Sequence, residues 1–244
     1  KYDQLAVSTA RFREQMRILA STRRVVSLET AVEMLRRGQS EPVVAITFDD
    51  GYLDNLHNAL PVLREFSLPA TIFVTTEFCD QSRVHPRYAP CDGRLHLSWE
   101  EVRMLARDPL ITIGSHTRTH PFLSRLDAQT VEREIRDSRQ ELESALGIPV
   151  KFFCYPSGDF SQREADLVRA AGYEAAVSVA PGLNRPPANL YELRRTEITD
   201  RDGAAEFIGK LDGAFDLLHA YLHRRRLHAQ ASARRQAAIV SARG

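Results

Sequence analysis

The sequence predicts an α/β fold in which a parallel sheet closes toward an irregular barrel. Three observations predict it. Short, β-branched apolar runs alternate with amphipathic helical stretches along the chain. Two polar clusters, about 65 residues apart, each follow directly on such a run. The 244 residues, 43% hydrophobic and 27% charged, suffice for one substantial core, and nothing in them suggests a second domain.

The elements follow in order from period and punctuation. Helical spacing covers Ser8–Ala20 and Leu28–Arg37, the second capped by Ser27, ahead of a strand at Val43–Phe48. A helix near Asn55–Phe66 and a strand at Ala70–Val74 continue the alternation. Ser98-Trp99-Glu100-Glu101 is a capping box, the Ser and the Glu three residues on satisfying each other's backbone N–H, and it opens a helix to Ala106 before a strand at Leu110–Gly114. A long amphipathic helix over about Asp127–Leu146 leads to the strand Val150–Tyr155. Ser161-Gln162-Arg163-Glu164 is a second capping box and starts a helix to Ala171; Ala175–Val179 is the next strand and Leu193–Ile198 the last. Six or so strands with helices between them pack naturally as a parallel barrel. Residues 1–40 are expected to be a helical lead-in packed on it, 41–213 the barrel, and 214–244 a C-terminal helix and basic tail.

The two polar clusters are Thr47-Phe48-Asp49-Asp50-Gly51 and Ser115-His116-Thr117-Arg118-Thr119-His120. Alone, Asp-Asp-Gly reads as a turn, because Asp accepts local backbone hydrogen bonds and Gly takes positive φ. Alone, two histidines separated by three residues are commonplace on a solvated helix. Together, each at a strand end where α/β enzymes keep their chemistry, they read as a metal site. Two imidazoles at this spacing turn toward one point in a tight loop, and a carboxylate from a neighbouring strand end completes a two-His, one-carboxylate triad. Its open positions point to catalysis.

These motifs resemble those of the polysaccharide deacetylases, the carbohydrate esterase group that shares the NodB homology domain, over approximately Ser27 to Thr199. The resemblance implies a distorted (β/α)₇ barrel. It also implies that Asp49 is the general base, and that Asp50, His116 and His120 hold one divalent metal ion, zinc first, with cobalt, nickel or manganese as alternatives. The family's third motif is commonly Arg-x-Pro-Tyr-Gly, whereas this chain has Cys154-Tyr155-Pro156-Ser157-Gly158. Cys154 stands where the family usually has the Arg that pairs with the base. A branch of the family takes that Arg from a later strand, in a Leu-x-Arg segment, which makes Arg195 the candidate here and Arg194 the alternative. Ser157 in place of Tyr still offers a backbone N–H to an oxyanion. Tyr155, Pro156 and Gly158 line the substrate by the same motif. The family's last motif maps its general acid, a histidine, onto His219 in Leu217-Leu218-His219; His219 and His223 also read as two solvent-facing residues of one helix.

The implied activity is metal-dependent hydrolysis of N-acetylated sugar units in a bacterial exopolysaccharide or related glycan. The alternatives are a small-molecule C–N amide hydrolase on the same fold and, given Cys154 and Ser157, a catalytically silent carbohydrate-binding protein. A covalent serine mechanism is disfavoured, since no Gly-x-Ser-x-Gly elbow occurs. No Gly-rich phosphate loop and no interleaving of aromatic with basic residues occur either, so nucleic acid is not an expected partner. The formal charge of +1 hides an asymmetry: Tyr221–Gly244 carries six Arg and no acid, leaving the remainder near −5. Such a tail suits an anionic polymer or a membrane surface. The polar stretch between Phe78 and Leu97 reads as a substrate-wall loop or equally as a solvated one, with His85, Tyr88 and His96 as groove candidates and a Cys79–Cys91 disulfide available in an oxidising compartment. No signal-peptide pattern or spanning hydrophobic run is seen, and Lys1 in place of Met suggests that the natural N-terminus has been removed. The resemblance implies a cell-envelope or periplasmic site, with the cytoplasm as the alternative.

Overall fold

The computed structural model describes residues 7–80 and 94–214. Five short strands, β1 (Ile46–Phe48), β2 (Ala70–Val74), β3 (Ile111–Ser115), β4 (Phe152–Cys154) and β5 (Ala175–Val177), pair in parallel and in sequence order. Parallel neighbours joined in order by crossovers of one hand wind the sheet in one direction, so it curls. Single parallel bridges extend it at both edges, Val25 with Val44 beside β1 and Leu193 with Val177 beside β5. With these two bridges the described residues supply seven strand positions, consistent with a distorted (β/α)₇ barrel.

Alternation along the strands divides the core in two. Phe73, Phe152, Cys154, Ala175 and Val177 face the barrel interior and cluster with Leu28, Val32 and Leu193. Their sequence neighbours Ile72, Val74, Phe153 and Ala176 face the helices and join a larger cluster that includes Leu63, Val102, Val131, Leu142 and Val168. Gly114 of β3 lies beside Phe73, where a Cβ would stand 2.5 Å from the ring; only glycine lets that phenylalanine fill the interior.

Helices α1 (Thr9–Thr22) and α2 (Leu28–Arg36) start at Ser8 and Ser27, whose hydroxyls accept from the backbone N–H three residues on. The inner cluster takes Leu28 and Val32 from α2, which closes the N-terminal end of the barrel, and Glu29 and Arg36 pair there with Lys151 and Glu174, the residues just before β4 and β5. A π turn at Asn55–Ala59 leads into α3 (Leu60–Phe66), and α4 (Thr76–Cys79) is a single turn after β2. Both predicted capping boxes form, at the starts of α5 (Trp99–Ala106) and α7 (Gln162–Ala170). The 19-residue α6 (Ala128–Leu146) is capped by Asp127 and ends on Gly147 at φ 70°. A further helix, α8 (Ala204–Leu211), packs near α1, where the buried Gln15 amide donates to the carbonyls of Thr199 and Asp202.

One expectation is corrected. The stretch Leu193–Ile198 is not a strand beyond its bridge at Leu193, because Arg194 N–H bonds to the Asn184 side chain and Arg195 N–H to the Ala180 carbonyl, turning the chain into the loop after β5. Cys79 is a free, buried thiol within hydrogen-bonding reach of the Thr75 carbonyl, and burial pushes its pKa up to about 12. Cys91 lies outside the described residues, as do His85, Tyr88, His219 and the basic tail. Among the described residues, no helix is long and apolar enough to cross a membrane.

Candidate active site

The first polar cluster is a turn at the C-terminal end of β1. Asp50 and Gly51 both adopt left-handed backbone, φ 66° and 59°, a conformation that costs a non-glycine residue energy and needs support from outside. The support is a short antiparallel pairing with residues 95–97: Leu53 N–H bonds to the Leu95 carbonyl, Leu97 N–H to the Gly51 carbonyl, and His96 Nδ1 lies 3.0 Å from the Asp50 carbonyl.

Asp49 points at a guanidinium. Arg195 Nη1 and Nη2 each lie 2.7 Å from one Asp49 carboxylate oxygen, a bidentate pair. The same guanidinium donates to Thr47 Oγ1, the Ser178 carbonyl and Cys154 Sγ, and lies 5.8 Å from the Phe73 ring centroid. Arg194 is exposed, so of the two candidate arginines Arg195 is the one that reaches Asp49. Burial alone would raise the Asp49 pKa, but the charge and hydrogen bonds of Arg195 outweigh it and hold the carboxyl below its ordinary value. Cys154 is buried in the barrel interior; burial raises its pKa and keeps it a thiol, even with Arg195 Nη2 3.1 Å from its sulfur. Its small side chain leaves the interior open to the arginine that arrives from beyond β5.

The second cluster is a tight loop after β3. His116 N–H bonds to the Val74 carbonyl, Thr117 and His120 take φ 67° and 59°, and Thr117 Oγ1 accepts from His120 N–H. From α6, the buried carboxylate of Glu134 accepts from Arg118 N–H, Thr119 N–H and the Thr119 hydroxyl, all within 3.0 Å. His116 Nδ1 lies 2.8 Å from the Cys154 carbonyl; a carbonyl only accepts, so Nδ1 carries a proton and Nε2 is the nitrogen turned toward Asp50. That Nε2 lies 3.4 Å from Asp50 Oδ1, and His120 Nε2 lies 3.3 Å from the same oxygen.

Those separations suit a shared ion better than hydrogen bonds. They are long for charge-assisted bonds. Tetrahedral coordination at about 2.0–2.2 Å has donor–donor edges of about 3.3–3.6 Å. The donor set, two imidazole nitrogens and a carboxylate on one buried point, fits a divalent transition metal. Asp49, His116 and Cys154 also converge, but there Arg195 already supplies the cation and His116 presents its protonated nitrogen to the Cys154 carbonyl.

A family model described as polysaccharide deacetylase matches residues 36–176, more than half of the chain. The chain belongs to that family. YxkH of Bacillus subtilis (strain 168), which carries a polysaccharide deacetylase name, is 29% identical over 160 residues, 66% of this chain and 53% of its own length. The chain thus spans about half of that relative. The poly-beta-1,6-N-acetyl-D-glucosamine N-deacetylase of Staphylococcus aureus (strain MRSA252) is 23% identical over 218 residues, covering 85% of this chain and 72% of its own. Among solved structures, the Streptococcus pyogenes deacetylase PplD in complex with acetate superposes with a TM-score of 0.75 at 20% identity, over 85% of this chain and 88% of that one. IcaB from Ammonifex degensii gives 0.73 at 22% identity, over 84% and 90%. At these identities the superpositions speak for the polysaccharide deacetylase fold.

The family's third motif falls on the turn after β4. Ser157 is exposed at φ 55°, and Gly158 follows at φ 64°, where a Cβ would stand 2.3 Å from the Val179 side chain. Pro156 is buried, and the Tyr155 side chain lies in the core, stacked on Phe160 with its hydroxyl donating to the Tyr191 carbonyl. Its ring therefore cannot line a substrate groove; only its backbone borders the turn. His96 is likewise corrected from a groove candidate to a buried residue, 1% exposed, behind Asp50. Sequence reasoning missed Glu134, and also Ser138, whose hydroxyl lies 2.8 Å from that of Ser115 at the end of β3. Their signal was present: both occupy the buried stripe Val131, Glu134, Ile135, Ser138, Leu142 of α6, and a carboxylate on an apolar face needs partners.

Proposed function

We propose that this chain removes the acetyl group from N-acetylated sugar units of a glycan, as the name of the staphylococcal relative says of that protein. The observation that carries the reading is the adjacency of two carboxylates with different partners: Asp49 held ionised by Arg195, and Asp50 sharing one oxygen with two imidazoles. Asp50, His116 and His120 would hold a divalent ion, zinc first and cobalt, nickel or manganese next, which would supply a Lewis acid for the acetyl carbonyl and a water of lowered pKa. Asp49 takes a proton from the attacking water, whose oxygen adds to the acetyl carbon. Arg195 keeps the carboxylate charged and aimed by its bidentate grip, a geometry lysine cannot reproduce. The Ser157 N–H is the candidate donor to the tetrahedral oxyanion. As the C–N bond breaks, the amine takes a proton, with His219 as the candidate donor, and acetate leaves.

The same reading assigns the catalytic roles to Asp49, Arg195, Ser157 and His219, and the substrate border to Pro156, Gly158 and the backbone of Tyr155. It extends to an envelope or periplasmic location, where such a glycan is found, and to contact of the basic tail with an anionic polymer or membrane surface. The test is acetate release from partially N-acetylated glucosamine oligomers by chelated protein with Zn²⁺, Co²⁺ or Ni²⁺ restored, beside Asp49→Asn and His116→Ala. Metal-restored activity lost in both variants is expected. Metal binding through His116 with no acetate from these or O-acetylated oligomers would overturn the reading in favour of a small-amide hydrolase or a silent glycan binder.

A further inference from the structure

We propose that His96 is a positioning residue that couples the carboxylate ligand to the second imidazole ligand of the candidate metal centre. The proposal rests on the reading of Asp50, His116 and His120 as that centre, and it goes beyond it by assigning a task to a buried histidine outside that ligand set.

His96 is 1% exposed and acts through two contacts of different kinds. The first is to Asp50, whose carbonyl lies 3.0 Å from His96 Nδ1. A carbonyl accepts only, so Nδ1–H is the donor. The bond falls on the one residue of the turn that pays for a left-handed backbone with a side chain attached, φ 66°. It is flanked by the Leu53–Leu95 and Leu97–Gly51 backbone bonds, which seat His96 against the turn on both sides.

The second contact is through the ring. The imidazole stacks on Tyr52 at 5.0 Å and 22°, and packs on Phe78 at 4.4 Å. Phe78, in α4 after β2, in turn faces the His120 ring at 6.3 Å and 28°. Tyr52, His96, Phe78 and His120 thus form one column of rings from the Asp50 turn to the last metal-binding candidate of the β3 loop. The two ligand loops come from strands β1 and β3, with β2 between them. Main-chain pairing fixes the strands, and the Thr76 and Glu77 N–H groups bond to the Thr117 and Arg118 carbonyls, tying the β3 loop to α4; the ring column joins the β1 turn to that same segment. A phenylalanine at position 96 would supply the packing without the donor; asparagine would supply a donor at the place of Nδ1 without the packing. Histidine combines both. Outer partners of this kind set ligand orientation and are typically worth about 10–100-fold in metal affinity.

The test uses chelated full-length protein with His96→Phe, His96→Asn and His116→Ala, titrated with Zn²⁺ by calorimetry and with Co²⁺ by visible absorption. Near-ultraviolet circular dichroism and thermal unfolding of the metal-free proteins report the fold. His96→Phe is expected to fold as the parent, to bind Zn²⁺ about 10–100-fold more weakly, and to shift the Co²⁺ bands; His96→Asn is expected to recover part of the affinity. A folded His96→Phe protein with parental affinity and an unchanged Co²⁺ spectrum overturns the proposal. Should His96→Phe not fold, His96→Asn is set against His96→Gln, whose amide reaches past the Nδ1 position. Tighter binding by Asn supports the coupling, and equal binding overturns it. His116→Ala separates the two levels: if it binds metal as the parent does, the metal reading itself fails, independently of what His96 does.

Discussion

The two ends of the barrel are built on opposite principles. At the N-terminal end α2 inserts Leu28 and Val32 into the interior, and the ion pairs Glu29–Lys151 and Arg36–Glu174 sit at the surface around them. At the C-terminal end, four of the five non-glycine residues with positive φ among the described residues, Asp50, Thr117, His120 and Ser157, lie in the turns after β1, β3 and β4. The polar side chains His96, His116, Thr117 and Glu134 are buried there as well. One end follows local rules of propensity and burial; the other breaks them and is held by specific hydrogen bonds. Strain and buried polarity concentrate where the chemistry is proposed, because only an over-determined site can keep them. Stability and activity should therefore respond to substitutions at different ends.

The largest effect expected is at the C-terminal end. Asp50→Ala or His116→Ala should abolish both metal retention and acetate release, whereas Asp49→Asn should keep the metal and lose about 10²–10⁴-fold in kcat. Metal analysis of each purified variant beside its turnover on N-acetylated oligomers separates the two classes, and an Asp49→Asn protein that loses its metal would erase the distinction drawn between the adjacent carboxylates. Next in size are substitutions that link the ends or isolate one. Phe73, fully buried, contacts the space of Gly114 and lies under Arg195; Phe73→Ala should cost about 3–5 kcal/mol and lower turnover as well. Val32→Ala in the plug should cost about 1–3 kcal/mol, with turnover per folded molecule unchanged. Urea midpoints and kcat on the same samples check the pair, and a loss of kcat in Val32→Ala would show the ends to be coupled.

A smaller, signed effect belongs to Arg195. Asp49 acts when ionised, so activity falls as pH drops through its folded pKa, and the arginine that holds this pKa down keeps the acid limb low. Arg195→Lys removes the bidentate grip but not the charge. The opposing contribution of burial then counts for more, and the acid limb of kcat/KM should move to higher pH. A limb that stays in place would mean that Asp49 is not the group titrating.

Much of this architecture was legible in the sequence because it rests on local signals. The capping boxes at Ser98 and Ser161, the Asp127 start and Gly147 end of α6, and the apolar runs of β2 and β3 are written within a few residues each. The convergence of Asp50, His116 and His120 was legible too, as strand ends followed by metal-type residues. What was hidden is long-range. Leu193–Ile198 has strand-like residues, but the pull of Asn184, Ala180 and Asp49 on Arg194 and Arg195 turns it into a loop. Tyr155 carries a polar handle that looked available, yet its partner is the Tyr191 carbonyl, 36 residues on. His96 sits 46 residues from the carbonyl it faces, in a stretch whose composition reads as a solvated loop. Pairing across such distances leaves no periodicity to read.

The smallest effect expected tests the N-terminal end at its surface. Arg36 bonds to the Glu174 carboxylate and carbonyl, with its side chain 37% exposed and that of Glu174 34% exposed. Exposed pairs of this kind contribute about 0–1 kcal/mol, since water screens the attraction and two long side chains lose rotamer freedom in holding it. Arg36→Gln should therefore lower the urea midpoint slightly at low salt, and less in 0.5 M salt, where the Debye length falls to a few ångströms (about 4 Å). Metal affinity and turnover should not move. A loss of several kcal/mol would mean that the ion pairs, rather than Leu28 and Val32, hold α2 in place, and a change in turnover would mean that strain at the far rim is balanced from this end; either result would dissolve the division of labour between the two ends.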